Sequence, residues 1–195
     1  MTDQPLRAVV IGASWGGVDA SIRVLSQLDA SFPVPVFLAQ HQRYESESRL
    51  ARVLASRTPL AVMAPEDKDV IRAGVIYVSP PGYHMLVERN GTIALSCHWP
   101  VHYSRPSIDE LFFSAGHIYG AGTLAVLLTG ANEDGAEGIR YIHRRGGVTV
   151  AQDPVTAEAP TMPESAIKTG CVDHILPLEK IGPFLREQAA SRRIS

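Results

Sequence analysis

Short apolar runs alternate along this chain with stretches whose apolar residues recur every three or four positions. Ala8–Ile11 is short, apolar and β-branched, which predicts a buried parallel strand. Val18–Leu28 carries Val18, Ile22, Leu25 and Leu28 at helical spacing. A second strand is expected at Val34–Ala39 and a second helix at Glu45–Ser56, with further strands at Leu60–Met63 and Gly74–Val78. Met85–Glu88 and Ile93–Leu95 flank Asn90-Gly91, a dipeptide that favours a tight two-residue turn, so a β-hairpin is predicted there. A polar loop, Ser96–Ser104, leads to a helix over Ser107–Tyr119 with Ile108, Leu111, Phe112 and Ala115 on one face. Then follow a strongly apolar strand (Thr123–Leu128), a helix (Asp134–Arg144), a strand (Gly147–Ala151), a short helix (Pro163–Lys168), a short strand (Asp173–Leu176) and a closing helix (Ile181–Ala190).

Neither a linker nor a repeat divides this pattern. Alternating strands and helices predict an α/β fold: a doubly wound, mainly parallel sheet with helices on both faces, Rossmann-like and three-layered, plus the small hairpin. At 195 residues and 45% hydrophobic content, residues 1–195 are expected to form one domain with a sizeable core. A formal net charge of −2 carries no electrostatic footprint of a nucleic-acid binder. Two cysteines, Cys97 and Cys171, are too few for a disulfide framework. The start, Met1-Thr2-Asp3-Gln4-Pro5, has no basic-then-apolar signal, and no apolar run reaches membrane-spanning length. A reduced, cytoplasmic protein that is not inserted in a membrane is expected, with recruitment to a membrane receptor left open.

The chemistry concentrates at Gly12-Ala13-Ser14-Trp15-Gly16-Gly17, between the first strand and the first helix. Gly12, Ser14 and Gly16 fit G-x-S-x-G, a tight turn that exposes a serine hydroxyl. The helix that follows aims its first N–H groups and its positive dipole end at the same spot. A dinucleotide site would want G-x-G-x-x-G and a carboxylate at the end of the second strand. Here the spacing is G-x-x-x-G-G, and the second strand ends in Ala39-Gln40-His41-Gln42. An imidazole stands where the ribose ligand would be. Ligands in such folds bind at the carboxyl ends of the strands, and three of those ends carry Ser14, His41 and, past Thr123–Leu128, Asp134. A serine is a weak nucleophile until a base takes its proton, a histidine can do so near neutral pH, and a carboxylate fixes the useful tautomer.

Each of these residues has a plainer reading. Ser14 suits a phosphate-binding turn, His41 a strand end, and Asp134 the cap of its own helix, with Asn132 and Glu133 as polar competitors. Cys97, His98 and His102 lack a clear fourth ligand, so no metal is expected, and no cofactor either. Arg43 and Tyr44 are read as solvated or facing an acidic partner, and Cys171 as a core residue. The chain order Ser, His, Asp differs from that of α/β-hydrolases, so the turn is not an ordinary lipase signature.

Several blocks together resemble the catalytic domain of the bacterial chemotaxis protein-glutamate methylesterase family, CheB. They are Val9-Val10-Ile11-Gly12-Ala13-Ser14 with Gly16-Gly17, Gln40-His41, Pro80-Pro81-Gly82-Tyr83-His84, and Arg105-Pro106-Ser107-Ile108-Asp109 with Leu111-Phe112. Leu127-Leu128-Thr129-Gly130, Asp134-Gly135-Ala136, Ala151-Gln152-Asp153, Met162-Pro163 and Ala166-Ile167 continue the set in order. The resemblance implies Ser14 as nucleophile, His41 as base and Asp134 as orienting acid. It implies hydrolysis of glutamate methyl esters on the cytoplasmic helices of methylated chemoreceptors, and deamidation of receptor glutamines. Trp15 and Ala131 are implied around the oxyanion, with Met162 lining the site and His84 either lining it or serving as a structural hydrogen-bonding residue. The sequence departs from the family pattern in three places: Trp15 stands where threonine is usual, Ala131-Asn132 where Met-Gly is usual, and Thr161 where glycine is usual. Family members typically carry an N-terminal receiver domain, and this sequence begins at the catalytic part, so three readings stand open: constitutive activity, control by a separate regulatory protein, or a fragment of a longer protein. The rival expectation is a receptor-binding homologue with lost or altered chemistry, its serine obstructed by Trp15.

Overall fold

The computed structural model describes residues 4–42 and 49–192. Arg43, Tyr44 and the start of the helix expected from Glu45 lie outside the described residues. The apolar runs become nine strands among the described residues: β1 (Ala8–Ala13), β2 (Val36–Gln40), β3 (Ala61–Met63), β4 (Val75–Val78), β5 (His84–Val87), β6 (Ile93–Ser96), β7 (Thr123–Leu127), β8 (Val148–Gln152) and β9 (His174–Leu176). The helical stretches become α1 (Gly17–Leu25), α2 (Arg49–Ala55), α3 (Ile108–Tyr119), α4 (Ala136–Arg144), α5 (Thr161–Lys168) and α6 (Leu178–Ser191). Single turns of 3₁₀ helix at Gly120–Gly122 and Pro154–Thr156 were not legible in the pattern.

Seven strands form a sheet in the order β3-β4-β2-β1-β7-β8-β9, every neighbouring pair parallel. From β1 the chain winds outward through β2 to β3 and β4, then returns to the other side of β1 to build β7, β8 and β9. The reversal opens a crevice at the carboxyl ends of β1 and β7, the place where doubly wound sheets hold their ligands.

Both faces of the sheet are covered, so its central strands are apolar except at the ends, where β2 closes on Gln40 and β7 opens on Thr123. On one face Val9 and Ile11 of β1 and Leu124 and Val126 of β7 pack against Val24 and Leu25 of α1, Leu54 of α2, and Ile181 and Leu185 of α6. On the other, Ala8 and Val10 pack with Phe37 and Tyr77 against Ile108 and Phe112 of α3, Ile139 of α4, Met162 of α5, and Met85 and Ile93 of the hairpin. Gly12 is where α3 comes closest to β1. A Cβ there would overlap Ile108 Cγ2 and lie 2.9 Å from Leu127 Cδ1.

The hairpin forms in the predicted place with a different turn. Val87 pairs with Ile93, the Glu88 N–H donates to the Thr92 carbonyl at 2.9 Å, and the Gly91 N–H donates to the Glu88 carbonyl at 3.1 Å. Asn90 and Gly91 therefore close a three-residue connection in which Gly91 alone has positive φ, at 82°. A type I turn followed by a left-handed glycine suits the strand twist as well as the expected two-residue turn does.

Candidate functional site

Ser14 leaves β1 with its N–H donating to the Thr129 carbonyl at 2.9 Å, which carries the pairing with the β7 side one step past the strand. Its own carbonyl accepts from Gly17 N at 2.9 Å and from Gln40 Nε2 at 2.8 Å. These two bonds close the turn, and the glycines make room for them. Gly16 has φ +73°, and a Cβ on it would stand 2.6 Å from Glu158 Oε2. A Cβ on Gly17 would overlap Gln40 Oε1 and lie 2.7 Å from Ala13 Cβ. Helix α1 begins at Gly17, so its N-terminal end is three residues from the hydroxyl.

His41 follows β2, its N–H donating to the Ala13 carbonyl at 3.0 Å. The ring joins the other two predicted residues: Nδ1 is 3.1 Å from Ser14 Oγ, and Nε2 is 2.8 Å from Asp134 Oδ2. Asp134 is fully buried. It does not cap its own helix; α4 starts behind Gly135, with φ 98° and no side-chain cap. The carboxylate instead closes the first turn of α3. Oδ1 accepts from Ser107 Oγ and Asp109 N, both at 3.0 Å, and Oδ2 accepts from Ile108 N at 2.7 Å as well as from His41. Burial opposes its ionisation, yet the bonds from His41 and from the Ile108 and Asp109 N–H groups outweigh it and hold the group below the usual carboxylate range. An ionised carboxylate only accepts, so Nε2 carries the ring proton and Nδ1 turns its lone pair to Ser14. Of the polar competitors, Asn132 takes a supporting part: its Oδ1 accepts from Asp134 N at 3.2 Å.

A second carboxylate lies directly behind. Asp109 is 3% exposed, and its Oδ1 accepts from Gly138 N at 2.7 Å. Burial, and next the charge of Asp134, push its pKa up from 3.8 to about 7. His102 lies between this group and Glu133, 3.7 Å from each. Among the described residues, His102, Asp109 and Asp134 have metal-ligand atom types within 4.8 Å of one another. Each Asp134 oxygen is already taken by two donors, which a cation would have to displace.

The remaining predicted residues surround this line. Met162 is buried, its N–H donating to the Gly130 carbonyl at 2.9 Å. A Cβ on Gly130 would meet Met162 Cε at 2.5 Å and Ser14 Cβ at 2.9 Å, so both side chains press on that glycine. Trp15 is 65% exposed, and its carbonyl accepts from Thr129 Oγ1 at 2.9 Å. Ala131 is exposed on the turn after Gly130. His84 is buried and makes no hydrogen bond to Ser14, His41 or Asp134. Its Nδ1 accepts from Ser107 N at 3.1 Å and its Nε2 donates to the Trp99 carbonyl at 3.2 Å, so it braces the start of α3. Cys97 is exposed, and Cys171 packs at the edge of the core.

Four contributors were not foreseen in these roles: Gln40 as the brace of the turn, Ser107 and Asp109 around Asp134, and Ser104, whose Oγ is 3.3 Å from His41 Nδ1. Ser107 and Asp109 were visible as the start of a helix, and that local reading concealed their distant partner.

The CheB methylesterase family model matches residues 9–185. A relative from Leptospira interrogans is 42% identical over 180 residues, covering 92% of this chain and 93% of its own length. The Clostridium acetobutylicum protein named protein-glutamate methylesterase/protein-glutamine glutaminase is 35% identical over 93% of this chain, and the Myxococcus xanthus protein-glutamate methylesterase FrzG is 36% identical over 94%. The chain spans about half of each of these two, 52% and 55% of their lengths. The crystal structure of the Thermotoga maritima CheB methylesterase catalytic domain superposes with a TM-score of 0.89 at 32% identity, covering 93% of this chain and 98% of that one. With the sheet order, the Ser14–His41–Asp134 line and these likenesses in agreement, the chain belongs to the CheB methylesterase family.

Proposed function

We propose that this chain is a serine hydrolase that removes methyl esters from glutamate side chains of chemoreceptors, with glutamine deamidation as its second activity. The observation that carries the reading is the unbroken line from Ser14 Oγ through His41 Nδ1 and Nε2 to the buried Asp134 carboxylate, with steps of 3.1 and 2.8 Å. Ser14 Oγ attacks the ester carbonyl as His41 Nδ1 takes its proton. Asp134 holds the ring through Nε2 and stabilises the imidazolium that forms. The Trp15 and Ala131 N–H groups, neither of which has a backbone acceptor among the described residues, are assigned to the oxyanion. His41 then protonates the departing methoxide, leaving an acyl group on Ser14 that water removes in a second half-reaction.

The exposure of Trp15 fits an indole turned to solvent rather than one folded over Ser14, which favours catalysis over a binding-only homologue. In the test, methylated chemoreceptor is incubated with the protein and with its Ser14→Ala variant, and released methanol is measured. Release that depends on Ser14 is expected. No release from the folded protein, or undiminished release from the variant, overturns the reading.

A further inference from the structure

The loop between β6 and α3 brings a second hydroxyl to the base. Val101 and Ser104 exchange backbone hydrogen bonds of 3.1 and 2.8 Å around His102 and Tyr103, whose φ angles are 46° and 60°. Positive φ at both central positions is the geometry of a primed two-residue turn. The turn leaves Tyr103 fully exposed and sets Ser104 Oγ 3.3 Å from His41 Nδ1. Ser14 Oγ is 3.1 Å from the same nitrogen. An unprotonated ring nitrogen has one lone pair and accepts one good hydrogen bond, so the two hydroxyls stand as rivals before the reaction begins.

Acylation ends that rivalry. Once Ser14 Oγ carries the acyl group it has no proton to give, and Nδ1 must next take one from water. We propose that Ser104 Oγ anchors the hydrolytic water beside His41 Nδ1, making Ser104 a positioning residue for deacylation; this rests on the acyl-enzyme reading above. A water about 2.8 Å from both atoms closes a triangle on their 3.3 Å separation without moving either. Ser104 has a separate acceptor for its own proton, the His102 carbonyl at 3.4 Å, which leaves its oxygen lone pairs for the water. The water then gives one hydrogen bond to Ser104 Oγ and one to Nδ1, and its lone pair is free to attack. Its oxygen bonds to the acyl carbon as one proton passes to Nδ1. The bond from that carbon to Ser14 Oγ breaks, and His41 returns the proton to Ser14 Oγ. The product is a carboxylic acid, which loses its remaining proton to solvent.

The test uses p-nitrophenyl acetate, whose phenolate is released as Ser14 is acylated. In Ser104→Ala, the initial burst is expected to keep its wild-type rate while steady-state turnover falls by about tenfold or more. Intact-mass measurement should then show an acetyl group accumulating on Ser14. Ser104→Thr, which restores a hydroxyl, should recover turnover and clear the acyl-enzyme. Equal loss of burst and steady state, no loss of either, or a folded threonine variant as slow as the alanine variant overturns the proposal. Failure of the wild-type protein to acylate at Ser14 overturns the acyl-enzyme reading and this proposal with it. Acylation with deacylation indifferent to Ser104 overturns this proposal alone.

Discussion

Replacing Asp109 with asparagine tests how the two buried carboxylates share one pocket. The amide keeps an oxygen for the Gly138 N–H and cannot ionise. In the native protein, burial and the adjacent Asp134 charge raise the Asp109 pKa from 3.8 to about 7. The folded state therefore holds a proton that the unfolded chain has lost across that range, and stability falls as pH rises through it. At about 1.4 kcal/mol per pH unit, the full effect comes to roughly 4 kcal/mol, complete by about pH 7 and flat above it. Urea denaturation of both proteins between about pH 5 and pH 8 compares the two profiles. The native protein should lose roughly 2 kcal/mol relative to Asp109→Asn between about pH 5 and pH 7. Parallel stability profiles would refute the assignment of a proton to Asp109.

Two further substitutions probe the site and its support. Asp134→Asn places an amide where both oxygens now accept, setting a donor against N–H groups and losing the charge that fixes the His41 tautomer; kcat should drop by about 10⁴ in a methanol-release assay. Activity within about tenfold of native would show that the acid is dispensable. Gly12→Ala forces a methyl into Ile108 Cγ2 and toward Leu127 Cδ1, and should destabilise the fold by about 1–3 kcal/mol in urea denaturation. An unchanged midpoint would contradict the close packing of α3 on β1.

The central strands were legible because burial on both faces demands continuous apolar, β-branched runs, and β1 and β7 have them. Ser14 and His41 were legible because each directly follows such a strand. Asp134 was found by position, but its target was not: a carboxylate before Gly135-Ala136 reads locally as the cap of α4, and only the docked fold brings the first turn of α3 close enough to claim it. Ser104 was hidden for a related reason. The positive-φ turn expected at Asn90-Gly91 forms at His102-Tyr103, a pair with no intrinsic preference for that geometry, so nothing in the loop marked where its hydroxyl would land. Gln40 read only as a residue at the end of the second strand, just past Ala39, because its value lies in what its amide reaches across the turn.

The seating of Asp134 on α3 also has a bearing on timing. Ser14 and His41 leave the ribosome before the carboxylate that steadies the ring, which lies 93 residues beyond His41. It is oriented, and kept ionised despite its burial, only when the Ser107 hydroxyl and the Ile108 and Asp109 N–H groups are docked against it. A growing chain thus carries the serine and the imidazole through those 93 residues of synthesis without the carboxylate that orients the base. Hydrolytic competence arrives with the closing of the fold, and any excursion that lifts the first turn of α3 withdraws it.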